Sequence, residues 1–233
     1  MTSALTPSSD GLNDEILRHL SLSLSLVLWR EGAIRVSVDE PFRLASGLLS
    51  PIYVNCRQVI SVPSFLRLFT AVAGPLLEGA EAEFDAIAGG ETAGIPYATA
   101  LATAVGKPCL YVRKKAKDYG VATRVEGRLE AGWRVLLVED LITDGGSKIG
   151  FLEALRGAGA TVSDALVLFD RQQGGAATLA QHGVRLHAAT DRTTAFAAAS
   201  AAGLIDDKAR DSVEAYLRDP EAWQPHSGAE GSE

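Results

Sequence analysis

From Asp85 to about residue 190 the sequence keeps one rhythm: a short apolar run, a turn carrying small residues, then a segment of helical length. The apolar runs are DAIAGG (85–90), CLYVR (109–113), RVLLVED (134–140), TVSDALVLFD (161–170) and VRLHAAT (184–190). Between them lie TAGIPYATALATAVG (92–106), GGSKIGFLEALRGAG (145–159) and GGAATLAQHG (174–183), which read as helices. Near-continuous apolar runs suit strands covered on both faces. Strands alternating with helices of this length indicate βαβ units. The fold class predicted is therefore α/β, a mostly parallel, doubly wound central sheet flanked by helices. In such sheets ligands bind past the carboxyl ends of the strands, so the residues closing each apolar run are where a site is expected.

The chain before residue 63 follows another pattern. Residues 1–12 are polar and are expected to be disordered. Asn13–Arg30 reads as a helix with Asp14 and Glu15 favourable at its amino end, although LSLSLSLVL also alternates as a strand would. IRVSV (34–38) and FRLASGLLSPIYVNCR (42–57) read as a strand and as strand, turn, strand. A single domain over 13–220 is predicted, with a small hood over 13–60 and a core over 61–220. The core opens with a helix, PSFLRLFTAVAGPLLEG, in which Gly74-Pro75 is placed to kink or split it. Two helices are expected near 191–203 and 207–218, and a disordered tail over 221–233.

Composition excludes several classes. The net charge of −7 argues against a general nucleic-acid binder. Cys56 and Cys109 are the only cysteines, with neither disulfide-framework nor zinc spacing, and His19, His182, His187 and His226 show no ligand spacing. The opening MTSALTPSSDGLNDE is polar and acidic, without a basic-then-apolar signal, and LSLSLSLVLW is too short and serine-rich to cross a bilayer. A cytoplasmic protein with no membrane or nucleic-acid partner is expected.

The most informative segment is RVLLVEDLITDGGS (134–147). A buried strand is expected to end in Glu139 and Asp140, then turn through Thr143, Asp144, Gly145, Gly146 and Ser147 into a helix. Glycines let backbone N–H groups converge on one point. The helix amino end adds partial positive charge, and Thr143 and Ser147 add hydroxyls. Such a cup suits a phosphate monoester, and carboxylates beside it suit vicinal sugar hydroxyls, so the pair describes a ribose 5-phosphate site. Consecutive strand residues point to opposite faces, so the two acids need not act alike, and one could orient the loop instead. A glycine-bearing strand-to-helix turn is also common in α/β proteins of other kinds. A nucleotide triphosphatase would need G-x-x-x-x-G-K-[ST], yet Gly106-Lys107 is followed by proline; a Rossmann site would need G-x-G-x-x-G, which is missing.

VLLVEDLITDGGS (135–147) resembles the signature of the type I phosphoribosyltransferases. Further segments resemble the orotate phosphoribosyltransferases within them. FRLASGLLSPIYV (42–54) is similar to that family's F-x-L-x-SG-x-x-SP-x-Y segment, and GETAGIP (90–96) to its turn under the diphosphate. RKKAKDYG (113–120) resembles the start of its mobile catalytic loop, and FDRQQGG (169–175) its D-R-Q-x-x-G segment. The resemblance covers about residues 35–190 and implies transfer of ribose 5-phosphate from 5-phosphoribosyl 1-diphosphate to orotate in pyrimidine (UMP) biosynthesis. It implies that Arg113, Lys114, Lys117, Tyr119, Glu139, Asp140, Leu141, Ile142, Thr143, Asp144, Gly145, Gly146 and Ser147 bind the phosphoribosyl substrate. Thr143 and Arg171 would meet orotate, whose carboxylate matches a guanidinium fork. Lys117 and Asp140 would be catalytic. Magnesium, held mainly by the substrate, is the implied cofactor. The long segment 114–132, with Gly120 and Gly127, would be a lid, and the family's sharing of that loop between subunits implies a homodimer.

Three positions depart from the family pattern. Ala45 and Ala93 stand where lysines are common, and Tyr119 where a histidine is common. Arg43, Arg57 and Lys115 are the nearby cations that could substitute. A phosphoribosyltransferase for a purine lacks a use for Arg171, since purines carry no carboxylate. A non-catalytic sensor of the phosphoribosyl compound would draw support from the three departures, but the chain shows no basic helix-turn-helix for output.

Overall fold

A computed structural model describes residues 9–44, 47–78, 84–115, 123–220 and 222–224. The chain opens with α1 (Ser9–Arg30), which packs on the helices of the core rather than standing apart. Residues 9–12, expected to be disordered, belong to this helix. The helical period wins over the LSLSLS alternation because Leu24 and Leu28, four apart, are both fully buried in the core.

The hood is made of short pieces. β1 (Ile34–Val36) pairs antiparallel with β4 (Ile52–Val54), and β2 (Phe42–Arg43) with β3 (Leu49–Ser50). The Arg35 guanidinium lies over the rings of Phe42 and Tyr53, 5.3 and 5.2 Å from their centroids, which ties the two pieces together. A 3-10 turn (Gln58–Ser61) leads into α2 (Pro63–Glu78), which runs through Pro75 as one helix.

The core sheet has six strands: β5 (Ala86–Gly90), β6 (Cys109–Val112), β7 (Val125–Glu126), β8 (Val135–Ile142), β9 (Asp164–Asp170) and β10 (Arg185–Asp191). Their order is β10-β9-β8-β5-β6-β7, all parallel except the edge strand β7. β7 lies inside the polar stretch 114–132, which sequence reading left without a strand. Between the strands run α3 (Gly94–Val105), α4 (Gly146–Gly157) and α5 (Gly175–Gln181); α6 (Arg192–Ala201) and α7 (Asp207–Arg218) close the fold.

Two apolar layers cover the sheet. On one face Ile87, Leu136, Val138, Leu166 and Leu168 join α1, α2, α3, α6 and α7. On the other, Ala86, Ala88, Val135, Leu137, Ala165 and Val167 join α4 and α5. The alternation follows from the two-residue period of a strand. It also fixes which layer each acid of β8 faces.

Candidate active site

β8 is longer than expected. It continues through Leu141 and Ile142, so Glu139 and Asp140 lie within the strand rather than at its end. Ladder contacts to β9 run from Leu137↔Ala165 to Ile142↔Asp170 and hold the last two residues. The turn that follows has Gly145 at φ +85°, a left-handed conformation that suits glycine, and a Cβ there would lie 3.2 Å from Thr178. Asp144 Oδ1 accepts the Gly146 N–H at 3.0 Å, so Asp144 shapes the turn with its carboxylate. The Gly175 N–H donates to the Thr143 carbonyl at 3.0 Å, which fixes the turn to the start of α5. At the start of α4 the Gly146 N–H is taken by Asp144 and the Lys148 N–H donates to the Gly145 carbonyl at 2.9 Å, and Thr143, Gly146 and Ser147 line a cavity of about 710 Å³.

The two acids do face opposite ways. Glu139 follows the parity of Leu137 toward α4, where its Oε2 accepts a hydrogen bond from the Lys148 ammonium; Glu139 is 5% and Lys148 9% exposed. Its Oε1 is buried with no hydrogen-bond partner of good geometry, close against Gly90 and Gly94. Burial pushes the Glu139 carboxyl up, and Lys148 pulls it back. Asp140 faces the hood and α3. Burial raises it too, against the lowering effects of Lys148 and Arg57. Beneath it the Tyr97 hydroxyl donates to the Cys56 carbonyl at 2.5 Å, anchoring the residue before Arg57. Burial drives the Cys56 thiol and the Tyr97 phenol well above their ordinary ranges, so neither ionises near neutral pH.

Arg171 follows β9, and its N–H donates to the Ile142 carbonyl at 3.0 Å. It is half-buried, and burial lowers its pKa. No hydrogen bond or ion pair from a described residue reaches its guanidinium. Its charge and that of Asp140 both act on the Cys56 thiol, but Arg171, unlike Asp140, is not among the residues lining the cavity. The next residue, Gln172, has φ +55°, unusual for a side chain of this kind. It is held there by its N–H to Asp170 Oδ1 at 2.7 Å and by its Oε1, which accepts from the Thr193 hydroxyl at 2.7 Å.

The root of the proposed lid is a ladder. Arg113 N–H donates to the Arg124 carbonyl at 2.8 Å, and Arg124 Nε returns a bond to the Arg113 carbonyl at 2.9 Å. The Lys114 N–H donates to Glu91 Oε2 at 2.7 Å, tying the root to the turn after β5. Lys117 and Tyr119 lie outside the described residues, as does Ala45.

Of the residues expected at the site, Lys114, Glu139, Asp140, Leu141, Thr143, Asp144, Gly145, Gly146 and Ser147 line the one cavity. Arg113 does not line it and is 3.7 Å from Glu126, because strand alternation at the end of β6 sends it toward β7. Ile142 is buried and is not among the residues lining the cavity. Arg57 reaches the cavity, whereas Arg43 bonds to the Gly47 carbonyl. Sequence reading missed Lys148, Arg124 and Glu91. Lys148 carried a signal: a cation in the first turn of a helix opposes the dipole and calls for a partner. Glu91 lay within GETAGIP, the segment resembling the turn under the diphosphate, but was not singled out there; Arg124 carried no signal. The charged lining comprises Arg57, Lys114, Arg124 and Lys148 against Glu91, Glu139, Asp140 and Asp144. Among the described residues no group of three or more His, Cys, Asp or Glu side chains is arranged to hold a metal ion, and no helix is long and apolar enough to cross a membrane.

Comparison with known proteins agrees with this geometry. A family model described as "Phosphoribosyl transferase domain" matches residues 58–181, from the 3-10 turn to the end of α5. An orotate phosphoribosyltransferase of Ruegeria sp. is 47% identical over 225 residues, covering 94% of this chain and 97% of the relative. The crystal structure of orotate phosphoribosyltransferase from Aeropyrum pernix aligns with a TM-score of 0.64 at 33% identity, over 77% of this chain and 99% of that one. The orotate phosphoribosyltransferase of Mycobacterium tuberculosis in complex with 5-phospho-alpha-D-ribosyl 1-diphosphate aligns with a TM-score of 0.62 at 25% identity, over 76% of this chain and 98% of that one.

Proposed function

This chain belongs to the orotate phosphoribosyltransferase family, and from that premise we propose which of its residues carry each part of the reaction. The enzyme transfers ribose 5-phosphate from 5-phosphoribosyl 1-diphosphate to orotate, giving orotidine 5′-phosphate and diphosphate. The turn Thr143–Ser147 at the start of α4 receives the 5′-phosphate. Asp140 accepts from the ribose hydroxyls on the hood side, and Glu139 does so from the α4 side. The C1–O bond to diphosphate breaks with its electron pair leaving on oxygen, N1 of orotate forms the new bond to C1, and the proton lost from N1 is balanced by the proton taken up by the departing diphosphate or by solvent. No enzyme nucleophile is needed; positioning and charge do most of the work.

Arg171 is the observation that supports orotate over a purine. A half-buried guanidinium without an anionic partner is costly, and a carboxylate in the plane of its fork removes that cost. Magnesium fits the site as an ion brought by the substrate: phosphate and hydroxyl oxygens are its preferred ligands, and Asp140 and Glu139 would help hold it only through the ribose hydroxyls they bind. When bound it supplies charge neutralisation at the departing diphosphate.

The described lining sets four cations against four carboxylates. A polyanionic substrate calls for more positive charge, which supports Lys117 as the group that neutralises and protonates the leaving diphosphate. Closure of the lid segment 114–132 over a partner subunit's site, and hence a homodimer acting in the cytoplasm, belong to the same proposal. Mixing the protein with magnesium, 5-phosphoribosyl 1-diphosphate and orotate, with uracil, adenine and hypoxanthine in parallel, tests the reading. Loss of orotate absorbance with orotate alone supports it. Turnover with a purine, or binding without turnover of any base, contradicts it.

A further inference from the structure

Lys148 stands out among the groups not yet given a role. It is a buried cation in the first turn of α4, where the helix dipole disfavours it, and its ammonium is engaged by one acid of the cavity wall. The other oxygen of that acid, Glu139 Oε1, is buried and unpartnered. The space around it is built to admit a carboxylate. A Cβ on Gly90 would collide with Oε1, and one on Gly94 would lie 2.5 Å from it. Thus two glycines on the β5–α3 turn and a lysine on α4 converge on Glu139 from opposite sides.

We propose that Lys148 is a positioning residue for the phosphoribosyl site: it holds Glu139 as a carboxylate with Oε2 fixed, so that the site presents a charged acceptor there at neutral pH. The inference rests on the proposed reaction and deepens it. Protonated, Glu139 would be partly a donor and would lose its charge-assisted bonds to hydroxyls. Its burial favours the protonated form. The charged groups around it are Asp140 beside it on β8, Lys148 on α4, Glu91 on the turn after β5, Arg124 at the lid root and Arg57 from the hood. Asp140 disfavours a second charge; the Gly90 backbone and Lys148 favour it, and among the described residues Lys148 is the cation paired with Glu139.

Removing the ammonium while keeping the side-chain bulk separates this role from simple packing. Lys148→Met is expected to raise KM for 5-phosphoribosyl 1-diphosphate about tenfold near pH 7, with kcat changed less. That loss is expected to shrink as pH rises and Glu139 ionises without help, so the variant's kcat/KM climbs with pH where the parent's does not. Lys148→Arg keeps the cation and is expected to restore the parent profile. A loss of equal size at every pH overturns the proposal, as does a KM unchanged from the parent. If Lys148→Met shows no cooperative thermal transition, Glu139→Gln decides. It removes the titrating group and keeps the shape, so a raised, pH-independent KM supports the proposal and an unchanged KM overturns it. Failure of the proposed reaction itself is distinct: the parent protein would then turn over no orotate at all.

Discussion

Two buried acidic clusters sit at opposite ends of the same parallel sheet, and they are built differently. At the amino end of β9, Asp164 is 3% exposed and fully engaged. Its Oδ2 accepts from the Ser163 hydroxyl at 2.8 Å, its Oδ1 lies 2.8 Å from His187 Nε2, and the Arg185 Nε is 3.1 Å away. Burial pushes the Asp164 carboxyl up, but its hydrogen bonds with His187 and Ser163 more than offset this and leave it below the ordinary range. In the carboxyl half of β8, Glu139 and Asp140 are held above that range, and neither Glu139 Oε1 nor the Arg171 guanidinium makes a side-chain hydrogen bond or ion pair with a described residue. Satisfied polar groups stabilise a fold; perturbed and unsatisfied ones gather where a ligand completes them. One end of the sheet is finished by folding, and the other is the end that the proposed reaction leaves for substrate to finish.

The sharpest way to break this contrast is at Arg171. Replacing it with alanine is expected to raise KM for orotate about a hundredfold, since a charged hydrogen-bonded pair is lost. Thermal stability should be unchanged or higher, because an unpaired, desolvated charge is removed. A fall in the thermal midpoint would mean that Arg171 is structural.

Asp164→Ala should do the reverse. It leaves His187 and Arg185 without their shared acceptor and is expected to cost about 3 kcal/mol of stability with kcat intact. The pH dependence follows from the sign of the shift. A depressed carboxyl contributes stability that is complete above its unfolded pKa, about 3.9, and is lost as pH falls through the folded value. Acid melts of the parent should therefore steepen below about pH 4, and those of Asp164→Ala should steepen less. Equal slopes would remove Asp164 from the account.

The smallest effect is expected at Thr193→Val, which deletes the hydroxyl donated to Gln172 Oε1. Loosening the left-handed Gln172 should raise KM for orotate about threefold, the scale of one neutral hydrogen bond, and leave KM for the phosphoribosyl substrate alone. A change in both constants would place Thr193's influence on the whole site rather than on the Arg171 turn.

Much of this was legible in the sequence because it rests on local chemistry. The apolar runs 85–90, 134–140 and 161–170 fall on β5, β8 and β9 since doubly covered strands need them. The cup at Thr143–Ser147 was visible because a strand, glycines and a helix start occur in one stretch. The period of two even foretold that Glu139 and Asp140 would part company. What was hidden is non-local. β7 is two residues long and exists only through pairing with β6, so no pattern of its own marks it. Arg124 reaches the cavity because it is stitched by its Nε to the Arg113 carbonyl, eleven residues away in sequence. The extension of β8 through Ile142 depends on β9. The expected roles of Lys117 and Tyr119 lie outside the described residues.

The contrast between the two ends of the sheet is tested most directly by one paired measurement: steady-state turnover of orotate and the thermal midpoint, on Asp140→Asn and Asp164→Ala side by side. Asp140→Asn should lose about a hundredfold or more in kcat/KM while its midpoint holds or rises, because a buried raised acid is neutralised. Asp164→Ala should keep its turnover and melt several degrees lower. If Asp140→Asn instead unfolds the protein, or Asp164→Ala abolishes turnover in folded protein, then function and stability are not divided between the ends of the sheet, and the account is wrong.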